Sequence, residues 1–172
     1  MFDRFIRFFR LIRIIVMSGG EVEYLLEDGL TGLYRRDIFL RLLSRHLSLL
    51  ERHSRPATIV FFDLDGLKKV NDLLGHEAGD AFIAAFASGL KASLRLSDLA
   101  CRWGGDEFVV VIDGNEDEAR IFTNRVVAAT EKEDVSFSYG VSLVAEEGFN
   151  EALKKADSNM YEAKRSPRAG RD

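Results

Sequence analysis

The feature that most constrains this chain is the stretch Arg102-Trp103-Gly104-Gly105-Asp106-Glu107-Phe108, which runs directly into the apolar segment 109–112. Two glycines between a short apolar run at 99–101 and a β-branched run predict the tight turn of a hairpin, because glycine accepts positive φ without steric cost. Two adjacent carboxylates follow the turn. Such charges are unfavourable together unless a positive group neutralises them, so the stretch predicts a metal ion or a cationic partner. A solvated hairpin tip is the alternative.

Size and composition fit one globular domain with a modest appendage. The chain has 172 residues, of which 47% are hydrophobic and 30% are charged, enough to bury a full core. The formal net charge of −4 is too small to predict nucleic acid as the main partner. The single cysteine, Cys101, excludes an internal disulfide and is consistent with a reducing cytosol. Its place in a predicted strand indicates a core residue and not a nucleophile.

The N-terminal segment differs in charge from the rest of the chain. Residues 1–20 carry a local charge of +3, which leaves −7 for the remaining residues. At helical spacing the four arginines spread over one face, which also carries Leu11 and Ile14, and this imperfect separation predicts an amphipathic helix over 1–17. The opposite, apolar face is formed by Phe5, Phe8, Phe9, Ile12, Ile15 and Val16. Three roles are open: pairing of two subunits, contact with an anionic membrane surface, or the end of a longer membrane region.

Neither a transmembrane helix nor a secretory signal is expected. The only strongly apolar region, residues 1–17, is interrupted by arginine at every third position. We therefore expect a cytoplasmic protein, peripheral to the inner membrane if the first helix binds lipid. Residues 1–27 form the predicted helix and linker, and 28–172 the globular domain.

Beyond residue 27, apolar spacing and turn signals predict a series of helices and strands. Helices are predicted at 37–53, in a short segment ending at Leu74, and at 79–94, 115–130 and 149–164. Strands are predicted at 58–62, 99–101, 109–112 and 135–144. This order favours an α+β fold close to a ferredoxin-like or palm arrangement, in which helices cover a central, largely antiparallel sheet.

Two acidic clusters fall at corresponding places on strands that should be neighbours. Asp63-Leu64-Asp65 ends one predicted strand, and Asp106-Glu107 opens the strand after the hairpin. A period of two places Asp63 and Asp65 on one strand face, while Leu64 still offers its carbonyl. Carboxylates brought together in this way bind hard divalent cations, usually Mg²⁺ shared with substrate phosphates. Solvated strand-end acids are the alternative.

These motifs resemble the GGDEF domain family of diguanylate cyclases. The resemblance rests on the 102–108 stretch and on Phe62-Asp63-Leu64-Asp65, and it extends to an opening motif at 28–33 (DGLTGL) and a base-recognition segment at 71–80 (NDLLGHEAGD). It covers nearly everything from residue 28 to residue 168. It implies a palm-like domain that condenses two GTP molecules into cyclic di-GMP and releases two pyrophosphates.

The resemblance also implies roles for the acidic residues. Asp63, the Leu64 carbonyl and Asp106 would hold Mg²⁺, or Mn²⁺ in its place, against the triphosphate. The metal would polarise the α-phosphate and help the attacking 3′-hydroxyl to lose its proton. Asp65 and Glu107 would complete the catalytic acidic site.

Nucleotide-binding roles follow from the same resemblance. Asn71 and Asp80 match the guanine-edge readers of the family, and an amide and a carboxylate suit the donors and acceptors of that base. The phosphate-binding positions are Gly66, Leu67, Lys68, Lys164 and Arg168. The local alternatives are a helix contact for Asn71, an N-cap on the long helix for Asp80, and solvated surface charge for the lysines.

The tetrapeptide Arg95-Leu96-Ser97-Asp98, which ends four residues before Arg102, matches the family's product-inhibition motif. In that motif arginine and aspartate clamp cyclic di-GMP, and Arg125 is a candidate for the further arginine that the site draws on. Each domain offers one GTP half-site, so catalysis implies a homodimer.

Two other functions compete with the cyclase. A non-catalytic effector would bind cyclic di-GMP through Arg95 and Asp98, but such proteins normally show a damaged Gly-Gly-acid-acid motif. A nucleotidyl cyclase with a different base choice is disfavoured by the match at Asn71 and Asp80.

The sequence departs from the family pattern at a few positions. Leu67 stands where phenylalanine is usual, and Arg35 where asparagine is usual. Pro167 and Ala169 flank Arg168, where glycine and asparagine are typical, and Pro167 bears most on the phosphate role of Arg168. None of these changes removes a metal-binding or base-reading group.

Overall fold

Alternating apolar side chains produce a sheet that is buried on both faces. The computed structural model describes residues 26–165, and in this range the strands are β1 Tyr34–Arg35, β2 Ala57–Leu64, β3 Leu99–Arg102, β4 Glu107–Asp113 and β5 Phe137–Leu143. Their order in the sheet is β1-β3-β4-β2-β5. β1 joins β3 in parallel, and the other pairs are antiparallel.

Helices cover both faces of this sheet. They are α1 Arg36–Arg52, α2 Leu67–Leu74, α3 His76–Ser93, α4 Glu116–Thr130 and α5 Phe149–Arg165, with a 3₁₀ turn at Glu131–Glu133. α1 and α5 pack on one face, and α3 and α4 pack on the other. Asn115 caps α4 by accepting from the backbone N–H groups of Asp117 and Glu118, which explains why that helix begins after Gly114.

The series β2, α3, β3, β4, α4, β5 confirms the α+β, ferredoxin-like prediction. The predicted β3–β4 hairpin is also confirmed. β2 is longer than the predicted 58–62 because it begins at Ala57 and continues through Asp63 to Leu64. β1 was missed, since two residues give no periodic signal.

The strand period places alternate side chains of β2 in two separate cores. Val60, Phe62 and Leu64 face α3 and α4, whereas Ile59 and Phe61 face α1 and α5. The fully buried ring of Phe62 lies 5.6 Å from that of Phe86, measured between centroids. Burying a side chain of this kind stabilises the fold by about 1.5–3 kcal/mol. The acidic residues therefore extend from a strand that is packed on both sides.

Cys101 is a core residue, as predicted. It is fully buried in β3, and burial raises the pKa of its thiol to about 12. A thiol that stays protonated at physiological pH is a poor nucleophile.

The predicted amphipathic helix at 1–17 and the phosphate ligand Arg168 lie outside the described residues. Within 26–165, no helix combines the length and the apolar character that crossing a membrane requires.

Candidate active site

β2 and β4 bring the two acidic clusters together, as the sequence predicts. In their antiparallel register Asp63 lies opposite Glu107. One residue further along, the Leu64 N–H donates to the Asp106 carbonyl oxygen at 3.0 Å. The ladder therefore holds Asp63, Asp106 and Glu107 at one end of the sheet.

Asp65 is held by the β5 side of the sheet. Its N–H donates to the Ser136 carbonyl at 2.8 Å, and the Ser138 hydroxyl lies 3.1 Å from both oxygens of the Asp65 carboxylate. These contacts fix the orientation of the carboxylate. Sequence reasoning missed Ser138, because a serine in an alternating strand carries no sign of the acid it contacts.

Lys164 brings a positive charge from α5 to these acids. Its Nζ is hydrogen-bonded to Oδ1 of Asp63 and lies 3.6 Å from Oδ1 of Asp65. α5 can lie this close to the sheet because β5 has Gly140 beneath it, where a Cβ would be 2.1 Å from the Ala156 carbonyl oxygen. The predicted phosphate ligand thus contacts the acidic cluster directly.

Burial and neighbouring carboxylates raise the pKa values of Asp63 and Glu107. Burial raises the pKa of Asp63, and the charges of Asp106 and Asp65 add to this, although Lys164 acts in the opposite direction. Burial also raises the pKa of Glu107, with the charges of Asp106 and Asp63 contributing. Burial disfavours the charged form of Lys164, but its contact with Asp63 outweighs that effect and raises its pKa. The cluster therefore has more negative charge than one lysine neutralises.

This donor set fits a magnesium ion that is shared with a nucleotide. Mg²⁺ prefers oxygen ligands and in nucleotide sites takes only one or two carboxylates from the protein, with phosphate oxygens and water completing the shell. Asp63 and Asp106 would supply such a pair, and Leu64 a carbonyl. Among residues 26–165, no group of three or more His, Cys, Asp or Glu side chains is arranged to hold a metal ion.

The glycine turn differs from the prediction. Neither Gly104 nor Gly105 has a positive φ, so the conformational reason given for them is wrong. The turn is also wider than two residues, because the Trp103 N–H donates to the Glu107 carbonyl at 2.8 Å. Gly104 leaves room for the Glu107 side chain: a Cβ there would lie 2.4 Å from Oε2 of Glu107 and would require that carboxylate to move, whereas one on Gly105 would meet nothing within 4 Å.

Arg102 ties this turn to the opening motif. Its guanidinium donates to the Gly105 carbonyl at 2.7 Å and to both carboxylate oxygens of Asp28 at 3.2 Å. Burial would raise the pKa of Asp28, but its bonds from Thr31 and the charge of Arg102 outweigh burial and lower it. The sequence separation of Arg102 and Asp28 hid this ion pair from pattern analysis.

The described phosphate candidates other than Lys164 lie at the start of α2. Gly66 is the N-cap residue of the helix with a φ of 81°, and as glycine it offers no side chain to cap the first-turn N–H groups. Those groups lack intrahelical partners by the geometry of a helix, which suits them to an anion. Leu67 packs partly against the core, and Lys68 is exposed.

Asn71 and Asp80 lie on two helices that meet at Gly79. A Cβ on the buried Gly79 would lie 1.9 Å from Oδ1 of Asn71, so Asn71 makes the local helix contact that the sequence left open. The N-cap interpretation of Asp80 is wrong, because α3 begins at His76 with Gly75 as its cap. Asp80 is instead an exposed residue of the second turn, and its carboxylate is accessible to a ligand.

The Arg95–Asp98 turn is built by its own aspartate. Oδ2 of Asp98 accepts from the Arg95 N–H at 2.8 Å, and Oδ1 accepts from the Asp113 N–H at 3.3 Å. Arg95 is exposed. Arg125, the candidate second arginine of the inhibitory site, donates to the carbonyl of Ser93 at 2.8 Å. It therefore lies at the end of α3 that precedes Arg95.

Comparison with known proteins decides the family. A family profile described as diguanylate cyclase, GGDEF domain, matches residues 25–170. The chain belongs to the GGDEF family.

Individual relatives agree with this assignment. Diguanylate cyclase DgcS of Shewanella oneidensis is 36% identical over 148 residues, which are 82% of this chain and 50% of DgcS. The crystal structure of diguanylate cyclase SiaD, in complex with its activator SiaC from Pseudomonas aeruginosa, matches with a TM-score of 0.80 at 27% identity over 95% of this chain and 65% of that chain.

A sensory box/GGDEF family protein from Caulobacter crescentus matches with a TM-score of 0.73 at 32% identity, over 83% of this chain and 99% of that chain. The α+β fold is therefore that of known GGDEF domains. The chain spans half or less of the length of the first curated relatives that it matches.

Proposed function

We propose that this GGDEF domain is a diguanylate cyclase, which condenses two GTP molecules into cyclic di-GMP and two pyrophosphates. The observation that carries the proposal is the pairing of Asp63 with Glu107 across β2 and β4, with Lys164 in contact with Asp63. Phosphoryl-transfer sites combine such carboxylates with a cation to stabilise the charge on the reacting phosphate. The 36% identity to DgcS supports the same activity.

Each of two equivalent steps forms one bond and breaks one. The 3′-oxygen of one GTP bonds to the α-phosphorus of the other, the bond to the bridging oxygen of pyrophosphate breaks, and the hydroxyl proton is lost. Mg²⁺, or Mn²⁺ as a substitute, would supply Lewis-acid polarisation of the α-phosphate when bound. Asp63, Asp106 and the Leu64 carbonyl would hold it.

The remaining acids have supporting roles in this proposal. Glu107 would accept the hydroxyl proton, because a raised pKa makes its carboxylate a stronger base than that of an exposed glutamate. Asp65, oriented by Ser138, completes the acidic cluster and holds Lys164 close to the substrate phosphates.

Nucleotide binding would use the two ends of α2. Gly66, Leu67 and Lys68 would bind phosphate oxygens at its start, together with Lys164 and Arg168. Asn71 near its end and Asp80 on α3 would read the guanine edge. The contact between Asn71 and Gly79 supports this assignment, because it fixes the amide beside the turn that carries Asp80.

A homodimer is part of the proposal. One domain offers a single GTP half-site, so two must face each other before a 3′-hydroxyl can reach the opposite α-phosphate. We assign pairing of subunits, or contact with an anionic membrane surface, to residues 1–17. A GTP-consuming enzyme with a free thiol at Cys101 suits the cytoplasm.

The proposal also includes product inhibition, in which cyclic di-GMP binds at Arg95 and Asp98. Arg95 is exposed, whereas Asp98 also bonds its own turn and Asp113. Arg95→Ala should therefore weaken inhibition by cyclic di-GMP about tenfold or more while preserving the fold and the uninhibited rate. Initial rates against added product measure this, and an unchanged inhibition curve would exclude Arg95 from the site.

The proposed activity is tested by incubating the full chain with GTP and Mg²⁺ and identifying the product by mass spectrometry. Wild type should form cyclic di-GMP, and Asp106→Ala should form none while remaining folded. Asp117→Ala is the matched control, since Asp117 is an exposed acid on α4 that pairs with Arg120. Binding of cyclic di-GMP by a wild type that makes no dinucleotide would favour the non-catalytic effector instead.

A further inference from the structure

Lys164 contacts the carboxylates that would hold the metal, which gives it a role beyond binding phosphate. We propose that Lys164 is the counter-ion of the metal-free acidic cluster and that it makes binding of the divalent cation depend on nucleotide. On this account its ammonium leaves Asp63 when the triphosphate arrives and offers it other oxygens. The inference rests on the proposed function, because it concerns the same metal and phosphate site.

The contact geometry makes the lysine a competitor of the metal at Asp63. The Lys164 ammonium is hydrogen-bonded to Oδ1 of Asp63, one of the two oxygens of a carboxylate that the proposed metal would use. It also lies 3.6 Å from Oδ1 of Asp65. Two cations on one carboxylate repel each other, so the ammonium on Asp63 weakens the binding of a metal there.

Lys164 has both the freedom and the position to leave. It is the penultimate residue of α5, its side chain is 39% exposed, and its charge sits on a flexible four-carbon stem. Arg36 is a second cation near these acids, and its charge acts on Glu107, but its guanidinium lies over the Trp103 ring at 3.9 Å. Lys164, which contacts Asp63 directly, is therefore the cation whose side chain can move away.

The proposal predicts a measurable coupling between binding of the divalent cation and binding of nucleotide. Without nucleotide, a divalent cation must displace the ammonium from Asp63, and this competition weakens its binding. With a triphosphate present, the ammonium gains phosphate oxygens in exchange, so the competition disappears. Direct chelation by phosphate also couples the two ligands, so the contribution of Lys164 is isolated by measuring the metal alone.

The test is a titration of nucleotide-free protein with Mn²⁺, followed by the electron paramagnetic resonance signal of free Mn²⁺. Lys164→Met should bind Mn²⁺ about tenfold more tightly than wild type, because no charge-assisted hydrogen bond has to be broken. Lys154→Met is the matched control: Lys154 is on the same helix and pairs with Glu151, and its loss should leave Mn²⁺ affinity unchanged. An equal or weaker affinity in Lys164→Met would overturn the proposal.

Two further variants separate charge from packing. Lys164→Gln is the second neutral variant, for use if the methionine variant does not fold, and it should also tighten Mn²⁺ binding. Lys164→Arg keeps the charge and should bind Mn²⁺ no more tightly than wild type. A gain with arginine equal to that with methionine would show that competition by charge is not the cause.

The result is independent of catalysis. Absence of cyclic di-GMP synthesis by wild type would defeat the proposed function while the Mn²⁺ comparison still stands. Synthesis of cyclic di-GMP with identical Mn²⁺ affinities would defeat the role of Lys164 alone.

Discussion

Charging Glu107 costs free energy in the folded protein. Burial and the charges of Asp106, Asp63 and Asp157 raise the pKa of its carboxyl group, and the charge of Arg36 acts in the opposite direction. The side chain also folds back over Gly104. The turn therefore holds the Glu107 side chain in place, but the surroundings of its carboxyl group disfavour the negative charge.

Glu107→Gln should stabilise the metal-free protein at neutral pH. A raised pKa means that this group lowers stability as pH rises above its ordinary value of 4.5, and glutamine does not titrate. Melting in EDTA should show a gain of about 2 °C at pH 7 that shrinks toward pH 4. Glu146→Gln, in an exposed loop, is the control. A gain that persists undiminished at pH 4 would contradict an electrostatic origin.

The acidic residues could be predicted from sequence, whereas the residues that hold them and the glycine turn in place could not. Asp63, Asp65, Asp106 and Glu107 stand out because acids at strand ends beside two glycines are an unusual pattern. Ser138 and the Arg102–Asp28 pair depend on contacts between segments distant in sequence. The sheet that creates such contacts must be known before they can be recognised.

At the level of elements, the junction of α2 and α3 positions Asn71 and Asp80, the proposed base-reading residues. The two helices are separated by Gly75 alone, which has a φ of 88° and ends one helix as it starts the next. Gly79 then lets the Asn71 amide lie against α3. The sequence placed the start of α3 three residues too late, because it took the second glycine, and not the first, as the boundary.

Gly79→Ala should separate base recognition from stability. Alanine favours a helix by about 1 kcal/mol over glycine, but its Cβ would meet Oδ1 of Asn71 at 1.9 Å and displace the amide. The melting temperature should change little, while the KM for GTP rises about tenfold or more. Gly29→Ala is the control, since its Cβ meets nothing within 4 Å. An unchanged KM would remove Asn71 from the guanine site.

At the scale of the whole molecule, the order of elements limits the possible topologies. A β-α-β-β-α-β series with a hairpin in its middle leads to the ferredoxin-like sheet, which is why the fold class could be predicted. Local features were harder to predict from the sequence pattern. β1 is too short to show a period, and the space that Gly104 leaves is filled by the side chain of Glu107.

Removal of residues 1–20 should leave the described domain folded and reduce specific activity at low protein concentration. The proposed reaction needs two domains to meet, and a pairing helix raises their effective concentration. Specific activity across a dilution series, with circular dichroism as the folding check, measures the effect. Identical dilution curves for the full and shortened chains would argue against pairing by this segment.

The central claim is that two GTP molecules are joined across a paired acidic site, and the stoichiometry of products tests it most directly. Wild type with GTP and Mg²⁺ should release two pyrophosphates for each cyclic di-GMP formed, and Asp63→Asn should release neither. Pyrophosphate without the cyclic dinucleotide, or no product at any protein concentration, would contradict the account.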